Sequence, residues 1–542
     1  MFKRLAICGL LALAGCQDAP AVEHGSRPNI LLIIADDLGY TDLGYFGAEI
    51  RTPNIDRLAE TGLVLTDFYA SPVCGTTRAM LLSGMSNQQA GFGSMAPMSM
   101  YPENSPHYQG VMTDRVLSVA KRMQDLDYQT YMTGKWHLGY SDELSPRGRG
   151  FTRSFALLQP GGSHWGDMGG LSFEGRSTYR MDGEIIDSLP EDFYSTIAYT
   201  DHMIDFIDEG EDDKPFFGYL AYTAPHWPLQ ALDEDIAAQA GRFDEGYDVI
   251  RQRRFEAWKE LGFGPADLEL PPDPPGYPSW DSLNDEEKAI SIRSAEVYAA
   301  MVERMDSEIG RLLDHLEETG KLDNTIVIFI SDNGAEQMQL RPAGFDYSLE
   351  NIGRPNSFAS IGPGWAEAGS APLYLRKNTT AEGGIKVPAI ISGPALGIPH
   401  GHVDALSTVM DFGPTFVDLA GGENSPGGTA SLAMTGHSLV GLLNGSAQSV
   451  RSEDEYVAME IGGNRMIRRG PWKAEWMFAP LGDSTWQLYN LDEDPSQREN
   501  VAEANPELVA ELAAQWDEFA EENGVIVMDV RRNMDGTPVT AQ

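Results

Sequence analysis

Ser71-Pro-Val-Cys74-Gly-Thr-Thr-Arg78-Ala-Met-Leu-Leu-Ser-Gly84 is the stretch on which the reading of this chain turns. A single cysteine four residues ahead of an arginine, running into an apolar segment, predicts a side chain presented at the start of a helix with a cation one turn behind it. A thiol there would sit in an electropositive pocket. The same pattern also suits a buried structural cysteine, since free cysteines are among the most buried residue types.

Two apolar, β-branched runs flank this stretch at a distance. Asn29-Ile-Leu-Leu-Ile-Ile34 ends in Asp36-Asp37-Leu-Gly39, and Thr325-Ile-Val-Ile-Phe-Ile330 ends in Ser331-Asp332-Asn333-Gly334. Runs of this kind predict strands buried on both faces, as in a parallel sheet. Adjacent carboxylates where a buried strand gives way to a loop are costly unless a cation lies nearby, and ligands of open α/β sheets bind at the carboxyl ends of the strands. Asp36, Asp37, Asp332 and Asn333 all offer hard oxygens, which suit Ca²⁺ or Mg²⁺ rather than zinc. Asx-type turns account for either motif taken alone.

Further pieces lie between and beyond these strands. Residues 115–124 have helical spacing. A strand from Asp127 leads to Gly134-Lys135-Trp136-His137, where Lys135 and His137 share a side if the backbone stays extended. Phe216-Phe-Gly-Tyr-Leu-Ala-Tyr222 is another strand, leading to Thr223-Ala-Pro225-His226-Trp-Pro228. Residues 267–280 form a proline-rich excursion, and residues 289–320 a long amphipathic helix whose apolar positions include Met301 and Met305. Lys377 precedes a Glu382-Gly383-Gly384 turn that feeds a buried strand ending near Ile391. From about Glu453 the pattern changes to short strands at 456–461, 466–469, 472–477 and 486–491, followed by a helix over 506–523.

With 542 residues, 42% hydrophobic and 22% charged, the chain has a globular composition sufficient for one large and one smaller domain. Its formal net charge of −42 opposes nucleic acid as a partner. Lys3 and Arg4 precede the apolar residues 5–14, a stretch too short to span a bilayer as a mature helix, which predicts a secretory signal. Leu13-Ala14-Gly15-Cys16 resembles a bacterial lipobox, implying cleavage before Cys16, lipidation of its thiol and residence on the periplasmic side of the outer membrane or at the cell surface. Of the three cysteines, Cys8 leaves with the signal and Cys16 becomes the anchor, so Cys74 is the only thiol in the folded part and no disulfide framework forms.

The segment around Cys74 resembles the Cys-x-Pro-x-Arg signature of type I sulfatases, with Thr76 where that family usually has proline. Gly134-Lys135-Trp136-His137 resembles the family's second signature, with Asp127 at a position usually held by glycine. The Lys377 to Gly384 segment is similar to a third shared stretch. The resemblance implies an alkaline-phosphatase-like α/β fold, a mixed and mainly parallel sheet between helical layers, with a small C-terminal α+β domain carrying a short antiparallel sheet. The expected organisation is a signal at 1–15, a linker at 16–27, a catalytic domain at 28–450 and a C-terminal subdomain at 451–542. It further implies sulfate ester hydrolysis (aryl, alkyl or carbohydrate) with Cys74 converted by a formylglycine-generating enzyme to formylglycine, 3-oxoalanine, whose hydrate is the nucleophile. One Ca²⁺, or Mg²⁺, would be held by Asp36, Asp37, Asp332, Asn333 and the modified Cys74. On the family pattern Asp332 deprotonates the attacking hydroxyl, Lys377 and His226 protonate the leaving oxygen, and His137 helps release sulfate. Arg78 steadies the nucleophile, Lys135, His226 and Lys377 contact sulfate, and His164 lines the pocket. Two other readings remain at this stage: a phosphate or phosphonate esterase of the same superfamily, and a non-catalytic glycan-binding lipoprotein.

Overall fold

The structure, a computed structural model, describes residues 27–95, 101, 105–171, 175–339, 341–425 and 432–532. The stretch expected to be a signal, with Cys8, and Cys16, the expected anchor, lie outside the described residues. No helix among the described residues is long and apolar enough to cross a membrane.

In chain order the strands are β1 (Asn29–Ala35), β2 (Leu63–Leu65), β3 (Phe68–Tyr69), β4 (Gln129–Lys135), β5 (Arg153–Leu157), β6 (Tyr179–Met181), β7 (Glu184–Ile186), β8 (Phe216–Ala221), β9 (Thr325–Ser331), β10 (Ala389–Ser392), β11 (Gly401–Val403), β12 (Ser407–Thr408), β13 (Tyr456–Ile461), β14 (Asn464–Arg469), β15 (Trp472–Trp476) and β16 (Trp486–Asn490). Ten of them form one sheet in the order β11-β2-β10-β9-β1-β8-β4-β5-β6-β7. Its centre is parallel, with β1 between β8 and β9 and with β4 beyond β8. β10 runs antiparallel to β9, and β6 and β7 are antiparallel at the far edge. The mixed, mainly parallel sheet expected from the sequence is therefore present.

Alternation along β1 explains its unbroken apolar run. Leu31, Ile33 and Ala35 pack into one layer with Met301, Met305 and Ile309, while Ile30, Leu32 and Ile34 pack into the other with Ala79, Met80 and Leu81. The first layer contains the helix Asp285–Glu318, and the second the helix Cys74–Ser83. The long helix begins four residues earlier than its apolar periodicity indicates, because Asn284 and Glu287 close a capping box. The helix expected over 115–124 forms only at Val119–Asp125, where the Ser118 hydroxyl accepts from the Lys121 amide. Pro388 has no N–H to contribute, and β10 starts after it.

At the C-terminus β13 to β16 form an antiparallel meander under the helix Pro506–Asn523. Ile467, Ala474 and Leu488 pack against Leu512, Trp516 and Ala520 of that helix. Met466, Val457 and Met459 join the core of the large sheet, so this small sheet is seated on the main layer through its other face.

One buried acid ties the meander to the main domain. Glu460 accepts hydrogen bonds from the Gly463 amide at 2.7 Å, the Tyr108 hydroxyl at 3.1 Å and Gln88 Nε2 at 3.4 Å, with Arg465 paired opposite it in the sheet. Burial pushes its carboxyl up from the ordinary 4.5 to about 7. A pKa raised on folding means that the folded state holds the proton more tightly. Its stabilising contribution is full below the unfolded value and is lost as pH rises through about 7. Glu460→Gln is expected to flatten the pH dependence of the urea midpoint, removing a loss of about 2–3 kcal/mol between about pH 5 and pH 8. Parallel profiles for the two proteins would contradict this.

Candidate active site

The carboxyl ends of β1, β4, β8 and β9 converge on one cluster of charged side chains. β1 delivers Asp36 and Asp37, β9 delivers Asp332 and Asn333, β4 ends at Lys135, and the turn after β8 carries His226. The amino end of the helix Cys74–Ser83 brings Cys74 and, one turn on, Arg78. Lys377 comes from the loop before β10. Asp36, Arg78, Lys135, Asp332 and Asn333 are all fully buried. His137, His226 and Lys377 are also buried, at 5%, 4% and 3% exposure.

Every carboxylate has a cationic partner. Lys135 Nζ donates to both oxygens of Asp36 at 2.8 and 2.7 Å. Arg78 donates through Nε at 3.0 Å and Nη2 at 2.7 Å to Asp332 Oδ2, and through Nη1 at 2.7 Å to the Lys135 carbonyl. Lys377 Nζ donates to Asp37 Oδ1 and Oδ2 at 2.6 and 2.8 Å and lies 3.0 Å from Glu336 Oε2. His226 Nε2 stands 3.5 Å from Asp37 Oδ2, and His137 Nδ1 is 3.5 Å from Cys74 Sγ.

Backbone conformation departs from simple strand alternation at two of these residues. Asp37 has φ +70° and His137 φ +61°, both left-handed. The expectation that Lys135 and His137 share a side through extended backbone is therefore corrected: Lys135 ends β4 and reaches Asp36, whereas His137 lies beyond the strand in a left-handed conformation and reaches Cys74. The left-handed conformation costs a non-glycine residue about 1–2 kcal/mol, so it persists only where surrounding structure imposes it. Asp127 also lies at φ +62°, which accounts for glycine being usual at that position in the resembling family. Thr76, in the first helical turn, is accommodated by bonds of its hydroxyl to the Val73 carbonyl at 2.8 Å and to Ser71 Oγ at 2.6 Å.

Burial and charge set the protonation states. Burial pushes the Cys74 thiol up, outweighing the nearby Lys135 and Lys377. Burial would also raise Asp332, but Arg78, Lys135 and Lys377 together hold it below the usual carboxylate range. Burial, with Lys135 next, drives His137 and His226 well below the ordinary imidazole value, leaving both rings neutral. Lys377 is opposed by burial yet held well above its ordinary value by Asp37 and Glu336.

The donor set fits a hard divalent cation. Asp36, Cys74 and Asp332 offer atoms within 4.8 Å of one another, as do Asp36, Asp37 and His226. The Asn333 side-chain oxygen Oδ1 is buried with no hydrogen-bond partner among the described residues, while Nδ2 donates to Asp37 Oδ1 and the Gly334 carbonyl. Four carboxylates, Asp36, Asp37, Asp332 and Glu336, face three cations, and burial pushes Asp36 well above the usual carboxylate range despite Lys135 beside it. A divalent ion held there would add the positive charge that favours both ionised carboxylates and a bound anion.

His164 does not face this cluster. Its Nδ1 is 2.7 Å from Ser195 Oγ and its Nε2 3.3 Å from the His226 carbonyl, and burial lowers its pKa to about 4. Sequence reasoning passed over Glu336, which lies four residues after Asp332 and grips Lys377. An acid closely following an Asp-Asn-Gly turn was the available signal. It also passed over Phe92, whose ring meets His137 edge-on at 5.9 Å.

A parallel-centred sheet with a charged cluster at its strand ends, a cysteine at a helix start and paired basic and acidic groups defines an alkaline-phosphatase-like hydrolase. Residues 28–422 match the Sulfatase family. The chain is 40% identical over 529 residues to an uncharacterized sulfatase of Schizosaccharomyces pombe, covering 93% of this chain and 95% of that one. It is also 40% identical over 433 residues to an arylsulfatase of Klebsiella aerogenes, covering 77% and 91%. Among solved structures it resembles Ps i-CgsB in complex with k-i-k-neocarrahexaose, with a TM-score of 0.67, 25% identity and coverage of 92% and 94%. This chain belongs to the sulfatase family. It is a sulfuric ester hydrolase.

Removing one partner of a buried ion pair strands the other charge. Arg78→Met is expected to lower stability by about 3–5 kcal/mol, read as a fall in the urea midpoint, because Asp332 loses both guanidinium bonds. A variant as stable as the wild type would contradict the pairing.

Proposed function

We propose that the protein hydrolyses sulfate monoesters of aryl or saccharide alcohols with Cys74, in its oxidised form, as the attacking residue. The observation that carries the reading is the position of Cys74. It is the first residue of its helix, 3.5 Å from a neutral His137 ring and within 4.8 Å of oxygens of Asp36 and Asp332. The formylglycine hydrate would supply a hydroxyl nucleophile, and a second hydroxyl through which sulfate is expelled, at the position of Sγ. Asp36, Asp37, Asp332 and Asn333 Oδ1 would hold Ca²⁺ or Mg²⁺, which would polarise the sulfuryl oxygens.

The chain's own groups divide the remaining work. Asp332, kept ionised by Arg78, is the base next to residue 74. Lys135 and Lys377 oppose the charge that accumulates on the sulfuryl oxygens. The His226 Nδ1 faces the Trp227 carbonyl, so it carries the ring hydrogen and leaves Nε2 unprotonated in the neutral ring. The standing proton for the leaving oxygen is therefore that on Lys377 Nζ, with His226 Nε2 facing the same Asp37 carboxylate. His137 Nδ1 faces residue 74 and takes the proton that accompanies sulfate release. His164 positions His226 through its backbone carbonyl rather than lining the pocket.

The substrate range draws on the Klebsiella aerogenes arylsulfatase and on the neocarrahexaose complex of Ps i-CgsB. Export as a lipoprotein anchored at Cys16 rests on the Leu13-Ala14-Gly15-Cys16 sequence. Cys16→Ser is expected to move the protein from the membrane to the soluble fraction, and an unchanged membrane fraction would contradict the anchor.

Protein expressed with a formylglycine-generating enzyme is expected to release 4-nitrophenol from 4-nitrophenyl sulfate. Cys74→Ala and prior chelation of divalent ions are each expected to reduce the rate by about 10³-fold or more. Preference for 4-nitrophenyl phosphate over the sulfate would move the assignment to a phosphoesterase. Full activity of Cys74→Ala would remove residue 74 from the reaction.

A further inference from the structure

Lys377 sits in a loop that local sequence does not hold. Leu375 and Asn378, which flank it, have φ +60° and +69°, left-handed values that β-carbon sterics disfavour. The Lys377 amide donates to the Ala335 carbonyl at 3.2 Å and the Asn378 amide to the Pro72 carbonyl at 2.9 Å. What presses the loop into this shape is the turn that follows it. The Gly383 amide donates to the Tyr374 carbonyl at 2.9 Å, and the Gly334 amide, next to Asn333, donates to the Gly384 carbonyl at 3.2 Å. Packing here leaves no spare room: a β-carbon on Gly383 would lie 1.9 Å from the Leu375 carbonyl oxygen, and one on Gly334 1.8 Å from the Gly383 oxygen.

That turn is gripped from the C-terminal meander. Lys473 Nζ donates to Glu382 Oε1 at 2.9 Å and to the Thr380 carbonyl at 2.8 Å. Thr380 Oγ1 donates to Glu475 Oε1 at 2.8 Å, and the Glu382 amide donates to Gln497 Oε1 at 2.7 Å. Gln497 Nε2 closes the circuit onto Glu475 Oε2 at 3.0 Å. Glu382 also accepts from the Tyr69 hydroxyl at 2.7 Å, and Tyr69 in turn accepts from Arg468 of β14 at 2.7 Å. Lys473, Glu475, Glu382 and Gln497 are 0%, 1%, 1% and 4% exposed. A polar network this deeply buried and this fully satisfied specifies one geometry.

We propose that Lys473, Glu475 and Gln497 are positioning residues that set Lys377 for proton delivery, making the C-terminal meander a working part of the active site. All three lie beyond residues 28–422, the part that matches the family. The inference rests on the sulfatase reading for the role of Lys377, but the mechanical link from β15 to the 374–384 segment does not. Losing the grip lets the loop relax away from its left-handed conformations, which withdraws Nζ from Asp37 and from the leaving oxygen. Catalysis then suffers in proportion to how much the leaving group needs a proton.

The test compares the wild type with Lys473→Met, Lys473→Arg and Gln497→Leu, the last keeping the Lys473–Glu382 pair in case Lys473→Met fails to fold. Amide hydrogen exchange is read over residues 374–384 and over β1, and kcat and KM are read for 4-nitrophenyl sulfate and for an unactivated alkyl or phenyl sulfate. Lys473→Met and, more weakly, Gln497→Leu are expected to speed exchange over 374–384 while β1 stays protected. They are also expected to lower kcat for the unactivated ester at least about tenfold more than for 4-nitrophenyl sulfate with KM little changed, and Lys473→Arg to restore part of the difference. Equal losses for both esters would mean a merely structural role and would overturn the proposal, as would unchanged exchange in the segment. A wild-type chain that turns over neither ester would overturn the sulfatase reading instead, leaving exchange to decide whether the meander positions the loop.

Discussion

Three aspartates brought together by the ends of two adjacent parallel strands are the constraint that the rest of this structure answers. β1 and β9 lie side by side in register, with Ala35 opposite Ser331, so the carboxylates that follow them cannot avoid one another. Unpaired in a buried setting, each would cost several kcal/mol. Arg78, Lys135 and Lys377 arrive from a helix, from the end of β4 beyond β8 and from a long loop to oppose that charge. The order of strands, the crossing of the helix Cys74–Ser83 and the path of the loop before β10 all serve to bring these cations in. Four carboxylates face only three cations, and the buried Asn333 Oδ1 has no hydrogen-bond partner among the described residues, so the cluster could hold a metal ion as well as forming a buried salt-bridge network.

Much of this was legible in the chain itself. The apolar runs at 29–34 and 325–330 predicted doubly buried strands because alternate residues feed two separate cores. The two oxygen-rich strand ends were recognisable because charge at that point of a parallel sheet needs a reason. The helix start at Cys74 and the cation one turn behind it were carried by spacing alone. Spacing failed where the backbone leaves its regular paths. Asp37 and His137 adopt left-handed conformations that no local pattern announces, and the two-residue rule for Lys135 and His137 gave the right convergence for the wrong geometric reason. Glu336 and the Lys473 circuit were invisible because their meaning depends on contacts between segments far apart in the sequence.

Left-handed residues at Asp37, His137, Leu375 and Asn378 surround the cluster, and each is held by tertiary contacts rather than by its own preference. Such conformations store strain that a rigid surround must offset, which gives a physical reason for a small C-terminal sheet to be fused onto a large catalytic one. Its outer face packs on the helix Pro506–Asn523 as an ordinary apolar core. Its inner face carries Lys473, Glu475 and Arg468, charged groups that make sense only against the main domain. The two sheets thus share one polar network as well as one apolar core.

The state of residue 74 decides the mechanism more directly than any rate. Burial keeps the Cys74 thiol protonated, a poor nucleophile, whereas an aldehyde hydrate at the same atom would have a base in Asp332 and a proton acceptor in His137 within reach. The measurement is the mass of the proteolytic peptide containing Cys74, taken from active protein purified from its native host. The mechanism predicts an aldehyde in place of the thiol, with Thr76 unchanged beside it. An intact thiol in protein that still cleaves sulfate esters would contradict it.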